Sequence, residues 1–191
     1  MPLISVKRCF DIGLCIFSLF LAALPCLAAA ILIKITSKGP ALYWSERVGR
    51  DNRNFKMPKF RSMRVDTPAV ATHLLENPAQ FLTPIGNFLR KSSLDELPQL
   101  WNILLGEMSF VGPRPALFNQ YDLIALRTAT GVHTLLPGLT GWAQINGRDD
   151  LPIPVKVALD TVYLQKQTFV FDLKILFLTF FRVIFQNNVK H

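Results

Sequence analysis

From Ile12 to Ile33 no residue carries a charge. At about 1.5 Å per residue this is roughly 33 Å of helix, enough for a hydrocarbon core of about 30 Å. After Lys38-Gly39-Pro40 polar and apolar positions mix as in a water-facing domain, which sets a boundary between residues 1–37 and 38–191. Ala41-Leu42-Tyr43-Trp44 and the run Phe55 to Met63, interrupted by Pro58, predict short strands. Ser93 to Leu104 predicts a helix with Leu97, Leu100, Trp101 and Leu104 along one side. Gly106 to Pro115 reads as a strand end and rigid turn, Pro137 to Trp142 as a second turn, and Trp142 to Gly147 as a short strand. Pro154 to Gln186 is helical, with Val155, Leu159, Val162 and Tyr163 on one face, Asp160 on another, and an interruption at Phe169 to Asp172. The last run, Leu173 to Phe185, carries Lys174 and Arg182; too short and charged to span, it predicts a core helix or an amphipathic one lying in a membrane interface. The fold class expected is α+β, mainly helical with short strands.

Three placements compete for the apolar segment. A signal peptide is opposed by the continuation through Ile31, Leu32 and Ile33 after Ala28-Ala29-Ala30. A straight spanning helix meets basic residues at both ends, Lys7 and Arg8 before it and Lys34 and Lys38 after it, which draw both ends to the same side. Pro25 in the middle removes an N–H and disfavours helical geometry at Leu24. The favoured reading is therefore a re-entrant helix-break-helix, with Asp11 either neutralised by Arg8 near the headgroups or sitting in the wet interface.

Charge narrows the partners. Lys and Arg number 21 against 13 Asp and Glu in 191 residues, a formal +8 that favours anionic lipid, phosphorylated substrates or nucleic acid. No nucleic-acid-binding motif accompanies it, so nucleic acid is not expected. Cys9, Cys15 and Cys26 all lie in the apolar segment and form no disulfide or zinc framework, and His73, His133 and His191 lack ligand spacing. Seven basic residues, Arg47, Arg50, Arg53, Lys56, Lys59, Arg61 and Arg64, form either a solvated face beside a membrane or, in part, a diphosphate grip.

Chemistry concentrates at Asp95-Glu96. Ser93 and Glu96 have the S-x-x-E spacing of a capping box, but Pro98 favours a helix starting at Asp95, where an acid meets the positive helix end. Capping and catalysis are both open for Asp95. Arg114, between Pro113 and Pro115, presents a guanidinium from a fixed backbone.

These pieces resemble, in order, the bacterial sugar transferases known as monotopic phosphoglycosyl transferases. The likeness is carried by Lys7-Arg8 and Phe10-Asp11, Pro25, Lys59-Phe60-Arg61-Ser62-Met63, Asp95 to Leu100, Gly112-Pro113-Arg114-Pro115, and Gly138 to Arg148. It implies transfer of a sugar 1-phosphate from a UDP-sugar to polyprenol (undecaprenyl) phosphate at the cytoplasmic face of the bacterial inner membrane, with UMP released and Mg²⁺ required. Asp95 would be the nucleophile and Glu96 its assistant, both near the metal; Lys59, Arg90, Arg114, Arg148 and Asp160 would contact substrate or phosphate. The alternative is a non-catalytic, membrane-tethered basic protein that binds anionic lipid. Leu24 stands where the family often has Ser, and Asp149 to Pro154 depart from the usual sequence after Asn-Gly-Arg, so the sugar is left open. Larger relatives add an N-terminal multi-span region, which makes this chain a minimal catalytic form. A homo-oligomer is compatible with all of this.

Overall fold

A computed structural model describes residues 6–68, 77–147 and 151–185. Helix α1, Val6–Thr36, is followed by β1 (Leu42–Val48) and β2 (Asn54–Phe60), then α2 (Gly86–Lys91). A 3₁₀ segment, Leu94–Gln99, leads into α3 (Leu100–Leu105), β3 (Ser109–Val111) and β4 (Ala116–Leu117). Next come α4 (Tyr121–Ala129), β5 (Gly138–Thr140), α5 (Trp142–Asn146), α6 (Ile153–Lys166) and α7 (Phe169–Phe185). The result is mainly helical with short strands, as expected.

The helix α1 continues through Pro25 where the sequence predicts a break. Proline removes one helix hydrogen bond, whereas unwinding the turn around it would remove several. Its buried stripe, Asp11, Cys15, Ala22, Ala29 and Ile33, follows helical spacing, while Phe17, Phe20, Leu24 and Leu27 are exposed. Both ends are tied to the same body. Cys15 packs with Leu100 and Ile103 under the main core, and Ala29 and Ile33 pack with Phe60 and Leu89.

At the first end, Lys7 pairs with Asp172 of α7 and donates to the Val111 carbonyl, and Arg8 donates to the Ile103 and Leu104 carbonyls. Asp11 is 2% exposed and accepts the Phe110 N–H at 3.2 Å, so it is withdrawn from water. At the other end, Arg61 donates to the Ser37 and Lys38 carbonyls, tying the chain just beyond α1 to the body.

Strands β1 and β2 form an antiparallel hairpin, with β4 on the other side of β1. Pro58 faces Trp44 on β2, an edge strand, where a missing N–H is tolerated. Alternation along the hairpin sorts the basic run. Phe55, Met57 and Lys59 point one way along with Ser45 and Arg47, whereas Lys56, on the other side with the buried Pro58 and Phe60, is exposed, as are Arg50 and Arg53 at the tip.

The short parallel pair β3 and β5 brings the Gly112-Pro113-Arg114-Pro115 turn against the Gly138-Leu139-Thr140-Gly141 turn. A Cβ at Gly138 would lie 2.1 Å from the Gly112 nitrogen, so the two backbones touch where only glycine fits. Residues Trp142–Asn146 then form α5, not the predicted strand. With Ala143 and Ile145 buried and Gln144 returning to the Leu139 carbonyl, the segment turns back on β5 instead of extending it.

In α6 the buried positions are Val157, Asp160 and Tyr163, while Val155 is 45% exposed, so the inward face is rotated from the expected one. A charged partner for Asp160 accounts for the rotation. The break between α6 and α7 falls at Gln167 and Thr168, and α7 leaves Val170, Phe177, Phe180 and Phe181 exposed beside Lys174.

Candidate active site

The predicted helix from Ser93 to Leu104 splits in two, and the first half is the 3₁₀ segment that carries Asp95 and Glu96. Pro98 lies inside that segment, which precedes α3 and leaves α3 free of proline. Ser93 holds a left-handed φ of +57°, uncommon for a residue with a side chain, and makes no capping hydrogen bond. The capping box is therefore not formed, and Asp95 lies one residue inside the segment instead of capping it.

Glu96 spends its carboxylate elsewhere. Its Oε1 receives Lys59 Nζ of β2 at 2.8 Å and Arg114 Nη2 at 3.3 Å, joining three separate motifs at one oxygen. Burial opposes its ionisation, but the two cations outweigh that and hold its carboxyl far below the usual range. Asp95 is 8% exposed; burial first, then the neighbouring Glu96 charge, push its carboxyl up to about 6, against the pull of Lys59, Arg90 and Arg114. Arg90 stands in the last turn of α2, which ends two residues before the 3₁₀ segment begins. One carboxylate is thus fixed as an anion among cations, while its neighbour can change protonation near neutrality.

The structure brings together Asp95, Glu96, Lys59, Arg90 and Arg114 of the expected residues. Asp160 does not join them: it is 1% exposed and accepts Arg127 Nη2 at 2.6 Å and Nε at 3.0 Å. A buried carboxylate in low dielectric requires such a partner, and Arg127 supplies it. Arg148 lies outside the described residues. Lys7, Arg8 and Asp11 bind the body as described above, and Pro25 lies within exposed apolar helix.

A family model described as bacterial sugar transferase matches residues 3–186. The chain belongs to the bacterial sugar transferase family. Among its relatives, the undecaprenyl-phosphate glucose phosphotransferase of Komagataeibacter xylinus is 41% identical over 95% of this chain and 36% of that protein. The UDP-glucose:undecaprenyl-phosphate glucose-1-phosphate transferase of Escherichia coli (strain K12) is 40% identical over 93% of the chain and 40% of its own length. The chain thus spans about two fifths of those two proteins. For the exopolysaccharide production protein ExoY of Sinorhizobium fredii the identity is 37%, over 91% of the chain and 83% of the relative.

Three arginines of this bacterial sugar transferase have structural roles that sequence reasoning missed. Arg127 has no local signal, because its carboxylate partner lies 33 residues away in another helix. Arg47 and Arg61 belong to the basic run, and strand alternation could have set them apart from Arg50, Arg53 and Lys56. Among the described residues no three His, Cys, Asp or Glu side chains gather as a metal cage. Asp95 and Glu96 still suit Mg²⁺, which takes one or two carboxylates together with substrate phosphates.

Proposed function

We propose that the protein transfers a sugar 1-phosphate from a UDP-sugar to a polyprenyl phosphate at the membrane surface, with Asp95 as the covalent nucleophile. One observation carries this reading: a buried carboxylate with a raised pKa, beside a second that is held ionised, with Lys59, Arg90 and Arg114 converging on the pair. Two of its relatives, an undecaprenyl-phosphate glucose phosphotransferase and a UDP-glucose:undecaprenyl-phosphate glucose-1-phosphate transferase, support the same reaction.

In the first step an oxygen of ionised Asp95 attacks the sugar-bearing phosphorus. The bond from that phosphorus to the bridging oxygen breaks, and the oxygen leaves on UMP. In the second step an oxygen of the polyprenyl phosphate attacks the same phosphorus, and the carboxylate of Asp95 departs. Lys59, Arg90 and Arg114 stabilise charge on the phosphoryl oxygens, while Glu96 keeps Lys59 and Arg114 in place until substrate arrives. Mg²⁺, held by Asp95 and Glu96, would supply neutralisation of the diphosphate. The exposed apolar stretch of α1 would lie in the inner membrane, both ends on the cytoplasmic side where UDP-sugars are made, because both ends bind one water-facing body.

The deciding experiment incubates purified protein with Mg²⁺, a panel of UDP-sugars and polyprenyl phosphate and measures UMP. Release that is lost in Asp95→Asn, with radiolabelled sugar phosphate trapped on position 95, is the expected result. Normal turnover by Asp95→Asn would eliminate the covalent mechanism, and lipid binding without UMP release from any donor would favour the tethered lipid-binding alternative.

A further inference from the structure

Three successive carbonyls at the Arg114 turn are each held by a donor from a different part of the chain. The Pro113 oxygen accepts the Gly138 N–H at 2.9 Å, the Arg114 oxygen accepts Arg127 Nη1 at 2.8 Å, and the Pro115 oxygen accepts Arg47 Nη1 at 3.2 Å. Prolines on both sides fix their own φ angles and offer no N–H, so these carbonyls are the handles by which that backbone can be gripped. The middle grip differs from the others. Arg127 is 7% exposed, and two of its nitrogens are taken by one oxygen of Asp160, which leaves Nη1 aimed at the Arg114 carbonyl.

Burying an ion pair costs more than burying two apolar side chains of similar volume, so its return lies in something apolar side chains cannot do. Here the ion pair delivers one N–H to one carbonyl from a rigid planar fork. The carbonyl it holds belongs to the residue whose guanidinium reaches Glu96 and whose charge acts on Asp95. Arg127 and Asp160 thus stand behind the turn, with Arg114 between them and the carboxylate pair.

We propose that Arg127, oriented by Asp160, is a positioning residue for the transfer reaction: it sets the backbone of Arg114 and thereby the placement of that guanidinium over Glu96 and Asp95. This rests on the proposed function for its chemistry, but its geometry can be tested separately. Asp160 acts on substrate only through Arg127 and Arg114. Arg47, which also donates from Nε to Ser45 Oγ at 3.0 Å, braces the same turn from β1.

The test compares Arg127→Lys, Arg114→Ala and the double variant. Lysine keeps a charge for Asp160 but has one nitrogen, which cannot serve the carboxylate and the carbonyl in the same planar arrangement. UMP release in Arg127→Lys should fall on the order of tenfold to a hundredfold in kcat, as misplacement by about an ångström does. In an Arg114→Ala background the same change should cost almost nothing further, since both act on one guanidinium. A purely structural pair would instead lower activity by the same factor in both backgrounds, and that result, or full activity in Arg127→Lys, would overturn the proposal.

The variant Arg127→Met/Asp160→Leu covers the case in which lysine unfolds the protein. It removes both charges together, should fold with a similar Tm, and should show the same loss of kcat and the same non-additivity. A second readout needs no turnover: the ¹⁵N shifts of the labelled Arg114 guanidinium should move in Arg127→Lys, and a guanidinium signal identical to that of the wild type would overturn the proposal. If the wild-type protein releases no UMP, the transferase reading fails, and this guanidinium signal alone decides whether Arg127 positions Arg114.

Discussion

Asp95 is placed where its ionised form is costly, and this has opposite consequences for activity and stability. With its carboxyl raised to about 6, the anion that would attack in the proposed reaction is scarce at pH 5 and abundant at pH 8. The rate of UMP release should therefore rise through about pH 6 and level above it, which a pH profile of kcat/KM will show. A carboxyl whose folded pKa lies above its unfolded value contributes stability below the unfolded pKa and loses it as pH rises through the folded one. Asp95→Asn should therefore raise Tm at pH 8, by on the order of 2–4 °C per kcal/mol relieved, and gain little near pH 4. Glu96→Gln should do the reverse at neutral pH, because it gives up the pairing with Lys59 and Arg114. Thermal unfolding at two pH values separates the two. At this scale much was legible: the acid pair, Lys59, Arg90 and Arg114 could be named from residue type and motif. That Asp160 pairs with Arg127 was not legible, since no sequence spacing shows that the two meet.

Elements were readable where their cause was local and missed where it was not. The hairpin β1–β2 and the helices after Pro152 follow from period and composition, and both are present. Trp142–Asn146 has β-favouring residues yet turns into α5, because the strand role there is taken by Gly138–Thr140 pairing with β3. The 3₁₀ form of Leu94–Gln99 was equally hidden, since Pro98 and the strained Ser93 select it only together with the contacts of Glu96. The touching glycines make a sharp prediction. Gly138→Ala should lower stability by several kcal/mol and uncouple the Arg114 turn, because an added carbon meets backbone atoms that have no room to move. Loss of soluble yield, or a markedly lower Tm, is the expected outcome. In α7, Phe177→Glu and Phe180→Glu should weaken vesicle binding while leaving UMP release in detergent intact, because those rings are 61% exposed and buttress no core cluster.

For the molecule as a whole, the apolar helix is joined to the body by a polar junction as well as by packing. Lys7 meets Asp172, which also accepts the Tyr163 hydroxyl at 2.6 Å, and that hydroxyl and Lys7 share the Val111 carbonyl. Three helices, α1, α6 and α7, thereby converge on β3, the strand that leads into the Arg114 turn. Lys7→Met should cost about 2–3 kcal/mol, seen as a fall in Tm, because it leaves a buried carboxylate with the tyrosine alone. The sequence shows an apolar segment long enough to cross a bilayer; that its first turn reaches the interior of the body depends on contacts more than a hundred residues apart.

Arg8 closes carbonyls in the last turn of α3, and Arg61 holds the two carbonyls that follow the end of α1. Such a helix cannot be exchanged like a plug. A chimera carrying an unrelated spanning segment in place of residues 6–36 would reach the bilayer and still fail, with holes where Asp11, Cys15 and Ile33 had been. Tethering and folding are, in this chain, the work of one set of side chains.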